Sequence, residues 1–199
     1  VIGGTLAGAL RVFQKIRYRR KRRYEGGVMP KGDPPLKYYW DACVFVSFIE
    51  GTTDRLSTIE SMLEDCENAT IEIYTSMITI VEVAYAKAEK DGRLLSEEVE
   101  EAINKLWLPP SPIKIVELDQ SVAWIARALM RSAMAEKKKL KPADAIHLAT
   151  AKTIKELKQI HTYDADLQTF KSEIGVPIIE PRCDNLFAQP PTENPNATP

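Results

Sequence analysis

Cysteine is scarce in this 199-residue chain, and Cys43, Cys66 and Cys183 are odd in number, far apart and outside any C-x-x-C pairing. That pattern argues against both a disulfide framework and a thiolate zinc site, and a reducing, cytoplasmic setting is the natural expectation. Net charge is also nearly absent: 27 basic residues stand against 28 acidic ones, for a formal charge of -1. Taken alone, this balance speaks against a nucleic-acid partner. No internal repeat is visible. The apolar opening, Val1 to Leu10, is too short to cross a bilayer, and it precedes its positive charges, the reverse of a signal peptide. No membrane association is expected.

What is present is a strong asymmetry hidden by the average. Residues 1–37 hold ten Lys/Arg and two Asp/Glu, a local charge of +8, so the remainder carries -9. The run RYRRKRR at Arg17 to Arg23 is followed by Gly26, Gly27, Pro30, Gly32, Pro34 and Pro35. Residues 1–35 therefore read as a basic arm and linker, residues 36–184 as the folded domain, and residues 185–199, ending QPPTENPNATP, as a disordered tail. The arm either binds nucleic acid by counterion release or is an extension with no binding role. The main domain is acidic, and its acids need an explanation.

Periodicity predicts strands at Leu36 to Trp40, Thr70 to Tyr74, Ile113 to Glu117, Ile160 to Tyr163 and Val176 to Ile179. Between them, helices are expected over Val44 to Ile49, Asp54 to about Cys66, Ser76 to about Lys90, Ser96 to Trp107, Asp119 to Lys137 and Pro142 to Leu157, with a helical turn at Ala165 to Phe170. Strands alternating with helices this long need crossover connections. The fold class is accordingly α/β, a mostly parallel sheet covered by helices. Lys137 to Lys141 is expected to be a solvated turn.

Four carboxylates lie where charges do not belong. Asp41 is the only charged residue from Tyr38 to Ile49, at the expected carboxyl end of the first strand; Glu82 is the only one from Ile73 to Ala86; Asp144 is the only one in PADAIHLATA; and Asp164 follows the fourth strand in Thr162-Tyr163-Asp164. A lone buried carboxylate costs several kcal/mol unless it is paired or coordinates a metal. Three of these stretches contain no basic partner. Open α/β sheets place their sites beyond the carboxyl ends of strands, where Asp41 and Asp164 fall, and Glu82 and Asp144 lie in early turns of helices that would flank such a crevice. Two carboxylates about 5 Å apart repel by roughly 3 kcal/mol at an effective dielectric of about 20. Such a cluster calls for cations, and all-oxygen ligands favour hard ions, Mg²⁺ or Mn²⁺ over Zn²⁺.

The order and context of these residues, YYWDACVFV, TSMITIVEVAYA, KPADAIHLATA and HTYDADLQTF over residues 36 to 180, resemble the PIN-domain nucleases. The third motif, Pro-x-Asp-x-x-His-x-Ala-x-Ala, is close to the form of the VapC-like toxin branch. The resemblance implies a three-layer α/β/α PIN-like fold and metal-dependent cleavage of single-stranded RNA by activated water, leaving 5′-phosphate and 3′-hydroxyl ends. It makes Asp41 and Asp144 the principal metal ligands, has Glu82 complete or orient the first metal's shell, and has Asp164 act on a more weakly held ion or through water. Thr162 is similar to the family's hydroxyl that hydrogen-bonds the first Asp, and Ser76 matches the Ser that precedes the Glu. Where the family usually has Asp-Phe after the fourth acid, this chain has Asp166-Leu167; Asp164 is expected to complete the site, with Asp166 as the alternative. A toxin-antitoxin setting is implied, with a small antitoxin as partner, and relatives often form homodimers.

Each acid also has a plainer reading. Asp144, near a helix start, could serve only the helix dipole, Ser76 could be an N-cap, and His147, one turn from Asp144, is read as a hydrogen-bonded structural histidine before a ligand. His161 is given no role. Trp40, Trp107 and Trp124 are read as core or interface anchors. The competing function is a non-catalytic PIN-like module that binds RNA or protein, and an aspartate phosphohydrolase is set aside because position 43, where an Asp-x-Asp would place its second acid, is Cys.

Overall fold

The computed structural model describes residues 34–83, 92 and 97–182. The basic arm, the tail, and the segment that would carry the helix of Ser76 on to Lys90 lie largely outside them. Five strands, β1 (Leu36–Trp40), β2 (Ile71–Ser76), β3 (Lys114–Val116), β4 (Leu157–His161) and β5 (Ile178–Ile179), form one sheet in the order β3-β2-β1-β4-β5. All four pairings are parallel. The chain winds outward from β1 through β2 to β3, then returns to the other side of β1 with β4. The direction of winding thus reverses between β1 and β4, where Trp40 is paired with His161. A crevice opens at the carboxyl ends of such a strand pair, and it is the usual place for a site in an open α/β sheet.

Alternation along β1 divides the core into two layers. Tyr38 and Trp40 point to a cluster with α1 (Ala42–Ile49), α2 (Thr53–Glu67) and α4 (Glu97–Trp107), through Phe45, Phe48, Ile59, Met62, Ile103 and Leu106. Tyr39 points the other way, to Leu148, Ala151, Ile160, Leu167 and Phe170. That second layer belongs to α5 (Gln120–Ala135), α6 (Pro142–Thr153), α7 (Ala165–Gln168) and α8 (Lys171–Ile174). Small residues let α5 and α6 approach closely, with Val122 and Ala126 packed against Ala145 and Ala149. The remaining helix, α3, is described over Ile78–Val83. The three-layer α/β/α architecture is therefore present. No helix among the described residues is long and apolar enough to cross a membrane.

Several boundaries differ from the sequence expectation. The helix from Pro142 stops at Thr153, and Leu157 opens β4 instead of closing the helix. Ile-Lys-Glu-Leu-Lys is locally helix-compatible, but Leu157 pairs with Lys37, Lys37 Nζ donates to the Lys155 carbonyl at 3.0 Å, and Glu156 turns the chain at φ 60°. Tertiary pairing overrides propensity there. His161 consequently ends its strand where the sequence had put it near the beginning. Ser76 ends β2, and the helix after it begins at Ile78. The turn after α5 is not merely solvated, since Lys138 pairs with Glu136 and Glu173 and sits over the Phe170 ring. Trp40 is fully buried and Trp107 packs on the first layer, but Trp124 is 61% exposed and has no place in the core.

Candidate functional site

Asp41 follows β1 directly and caps α1. Its Oδ1 accepts the Cys43 N–H at 2.8 Å, and its Oδ2 accepts the Thr162 hydroxyl at 2.6 Å. The residue is only 6% exposed. Burial pushes its carboxyl above the ordinary range, against the opposing pull of His147 and of the hydrogen bonds from Cys43 and Thr162. Thr162 serves two acids, because its Oγ1 also accepts the Asp164 N–H at 2.9 Å. Asp164 in turn caps α7, with Oδ1 accepting the Asp166 N–H at 2.8 Å. Asp166 itself is exposed, and it enters this network through its backbone.

Asp144 stands in the first turn of α6, behind the N-terminal Pro142. It is half-buried, and burial raises its carboxyl; Lys141 opposes this, and the charge of Asp164 adds to it. One turn on, His147 is 3% exposed. Its Nε2 lies 2.6 Å from Glu82 Oε2 and its Nδ1 lies 2.6 Å from the Tyr39 hydroxyl. Tyr39, fully buried, has its hydroxyl pKa raised by burial first and then by the charges of Asp41 and Glu82. The four acids thus share one neighbourhood around the ends of β1 and β4. Asp41 and Asp164 are joined through Thr162, Asp144 feels Asp164, and Glu82 is held by His147.

They do not form a finished cage. Among the described residues no three His, Cys, Asp or Glu side chains stand together as a ready metal-holding group. Three of the carboxylates are instead bonded to a nearby N–H or O–H: Asp41 to Cys43 and Thr162, Asp164 to Asp166, and Glu82 to His147. The donor set nonetheless suits a hard divalent cation. Asp41 and Asp144 have carboxyls raised by desolvation, Asp164 adds like charge, and no Lys or Arg forms an ion pair with any of these three among the described residues. Carboxylates that are desolvated and without a basic partner are the groups a hard cation would draw together.

Ser76 is fully buried and lies beside α6, where its Oγ accepts the Thr150 hydroxyl at 3.2 Å; its distance to the Ile78 N–H, 3.5 Å, makes it a weak cap. Two participants had no sequence signal of their own. Cys43 lines the pocket behind Asp41, accepting the Tyr163 N–H at 3.0 Å and touching Thr162 Oγ1 at 3.4 Å, and burial raises its thiol far above the usual range. Arg55 of α2 lies 3.8 Å over the Tyr163 ring and donates to Ser47 Oγ. An aromatic at position 39, just ahead of an isolated Asp, was the only hint of Tyr39, and strand alternation alone could not say what it would meet.

No curated protein matches the chain in sequence. Among solved structures, FitAcB from Neisseria gonorrhoeae is similar at a TM-score of 0.52 and 19% identity, over 72% of this chain and 97% of that one. VapBC2 from Rickettsia felis, bound to a DNA fragment from their promoter, is similar at 0.51 and 16%, over 73% of this chain and 98% of that one. These likenesses are likenesses of fold. The profile of the PIN domain matches residues 38–172, a stretch that runs from β1 through α8 and contains Asp41, Glu82, Asp144 and Asp164. With that match over more than half its length, the chain belongs to the PIN domain family.

Proposed function

We propose that the protein is a metal-dependent endoribonuclease that cuts single-stranded RNA, and that it acts as the toxin of a toxin-antitoxin pair. The observation that carries the reading is the pairing of a buried Asp41, free of any Lys or Arg partner among the described residues, with Asp164 through one threonine hydroxyl at the point where the sheet reverses. A structural acid so deep in a fold is ordinarily matched with a cation of the protein's own. Asp41, Asp144 and Asp164 would hold Mg²⁺ or Mn²⁺, with Glu82 beside them. The ion, when bound, lowers the pKa of a water and neutralises charge on the phosphodiester.

The chain's own contribution is orientation and field. Thr162 fixes the rotamer of Asp41 and accepts the backbone N–H of Asp164, which ties the segments following β1 and β4 to one hydroxyl. The low-dielectric floor formed by Trp40, Cys43 and Thr162 strengthens whatever charge is placed above it. The toxin setting draws on the PADAIHLATA motif and on the likeness to VapBC2. An antitoxin, and a second copy of the chain, are the protein partners it implies.

The rival is a PIN-like module that binds RNA or protein without cutting, and one observation favours it: one of the two Glu82 oxygens is already engaged by His147. Incubation of a single-stranded RNA with the protein separates the two. Cleavage that requires Mg²⁺ or Mn²⁺, stops with EDTA and disappears in Asp41→Asn supports the nuclease; binding without cleavage at any metal concentration supports the module. Relief of growth arrest by a neighbouring small reading frame tests the toxin setting.

A further inference from the structure

Arg55 is the third residue of α2, at the end of a helix where the dipole disfavours a cation. Its guanidinium is nonetheless fixed there by two contacts from other elements: the Tyr163 ring lies 3.8 Å from Cζ, and one N–H is given to Ser47 Oγ at 3.1 Å. Neither contact neutralises it. Asp54 and Glu180 lie within electrostatic reach of Tyr163, but among the described residues Arg55 forms no ion pair with them or with any other acid. The side chain is partly open to solvent, and most of the guanidinium's N–H donors remain after Ser47 is served. This cation also stands at the acid site. Tyr163 sits between Thr162, which donates to Asp41, and Asp164, so the guanidinium is one side chain away from the segment that joins those acids. Ser47 reaches the same place from α1, one turn beyond Cys43, whose sulfur accepts the Tyr163 N–H. The rise from Asp41 to Ser47 is about 9 Å along the helix axis. That is too far for Arg55 to pair with Asp41 and near enough for one polyanion to meet both.

We propose that Arg55, stacked on Tyr163 and tied to Ser47, binds a backbone phosphate of single-stranded RNA beside the phosphodiester held at the acids. The inference rests on the nuclease reading and adds to it a substrate contact of the opposite sign to the carboxylates. Beyond residue 37 the chain carries -9, so an RNA strand approaching four acids is repelled unless a cation of the protein's own has been left unpaired to meet it. Arginine suits this place better than lysine. A planar guanidinium lies flat on an aromatic ring while its edge offers two parallel N–H groups to phosphate oxygens. A phosphate carries no sequence information, so the contact sets affinity and register on the strand and leaves base preference to other groups.

The test measures binding of two fluorescent single-stranded RNAs, one purine-rich and one pyrimidine-rich, to the full chain in EDTA over a range of salt. The basic arm is common to every variant and cancels in the comparison. In Arg55→Gln, and in Arg55→Met as a second neutral side chain, the slope of log K against log salt should be shallower by about 0.7, the value for one phosphate on a single strand. Affinity at about 0.1 M salt should fall about fivefold, equally on both RNAs. Arg55→Lys should bind more weakly than wild type but keep its slope, because the charge remains. Unchanged slopes in the neutral variants overturn the proposal even if affinity or Tm falls, since lost packing does not alter the number of phosphates neutralised. A shallower slope in Arg55→Lys, or a loss confined to one RNA, overturns it as well, the latter in favour of a base contact. If the slopes change as expected but the wild type cuts neither RNA when Mg²⁺ or Mn²⁺ is added, the nuclease reading falls and Arg55 stands as a contact of a binding module; if the wild type binds no RNA, both fall.

Discussion

Replacing Asp41 by Asn separates a carboxylate kept for folding from one kept for an ion, because the two cases predict opposite signs. As a helix cap, Asn equals Asp, so the Cys43 N–H at 2.8 Å keeps its acceptor. Removing a charge that is 6% exposed and has no Lys or Arg ion-pair partner among the described residues relieves a penalty of several kcal/mol, here taken as about 4. Against this, the Asn oxygen keeps the Cys43 bond only at neutral strength, and its NH2 cannot accept from Thr162, whose hydroxyl must turn to accept instead, at a cost of about 1 kcal/mol each. Loss of the negative charge at the start of α1 costs up to about 1 kcal/mol more. The sum is a variant more stable than wild type by about 1 kcal/mol in EDTA, or about 2–4 °C in Tm for a domain of this size.

The dependence on pH and on metal follows with definite signs. Because burial raises the Asp41 carboxyl in the folded state, the folded protein holds that proton to higher pH than the unfolded chain, and the wild type loses stability as pH rises through that window. The advantage of Asp41→Asn is therefore full near neutrality and vanishes below about pH 4, where both states are protonated. Mg²⁺ at about 100 times its Kd would add about 2.7 kcal/mol to the wild type and much less to the variant, reversing the order. Thermal denaturation with and without Mg²⁺, run beside RNA cleavage, measures all of this. A variant that is less stable than wild type in EDTA, gains as much from Mg²⁺, or still cleaves, refutes the argument that Asp41 is held charged for an ion.

Thr162→Val keeps the shape of the side chain but removes the donor to Asp41 Oδ2 and the acceptor for the Asp164 N–H. We expect about 1–3 kcal/mol of lost stability by denaturant titration and a 10–100-fold weaker metal response; a variant changed in stability alone would demote Thr162 to a packing residue. Away from the site, burial would raise the Glu72 carboxyl, but Lys114 and the Tyr74 hydroxyl hold it below its ordinary value. A lowered acid stabilises above its unfolded pKa and loses that contribution as pH falls through the folded one, so Glu72→Gln should be less stable than wild type at pH 6 by under about 1 kcal/mol and converge on it near pH 3. Equal stability differences at both pH values would show that this pair contributes nothing electrostatic. The Cys43 thiol, raised by burial and lodged against Thr162 and Tyr163, should resist alkylation at pH 8 in the native protein and react on unfolding; rapid native labelling would mean the pocket behind Asp41 is open.

What could be read from the sequence is what depends on neighbours along the chain. LKYYW and TIEIY announce strands because β-branched and aromatic residues alternate, and β1 runs from Leu36 to Trp40 as its pattern indicates. Isolation of Asp41, Glu82 and Asp144 within apolar runs is likewise a local property, and it singled out residues that the fold brings to one end of the sheet. The errors fall where the deciding partner is remote. Leu157 enters a strand because Lys37 is there to pair with it, a fact 120 residues away in the chain. Tyr39 and His147 are 108 positions apart, and Asp41 and Thr162 are 121.

The same distinction explains why the contact between His147 and Glu82 cannot be read from the sequence, although each residue stands out there by itself. A parallel sheet sends successive residues of a buried strand to opposite layers, so Tyr39 and Trp40, adjacent in sequence, end beside different helices and different histidines. Nothing in YYWD says which histidine each ring will meet, because that depends on how β4 and α6 register against β1. Once the register is known, the partners of each imidazole follow, Trp40 for His161 and Tyr39 for His147. The acids of such a site can be found as charges out of place, whereas the neutral groups that orient them look like ordinary core residues until the pairing across the sheet is seen.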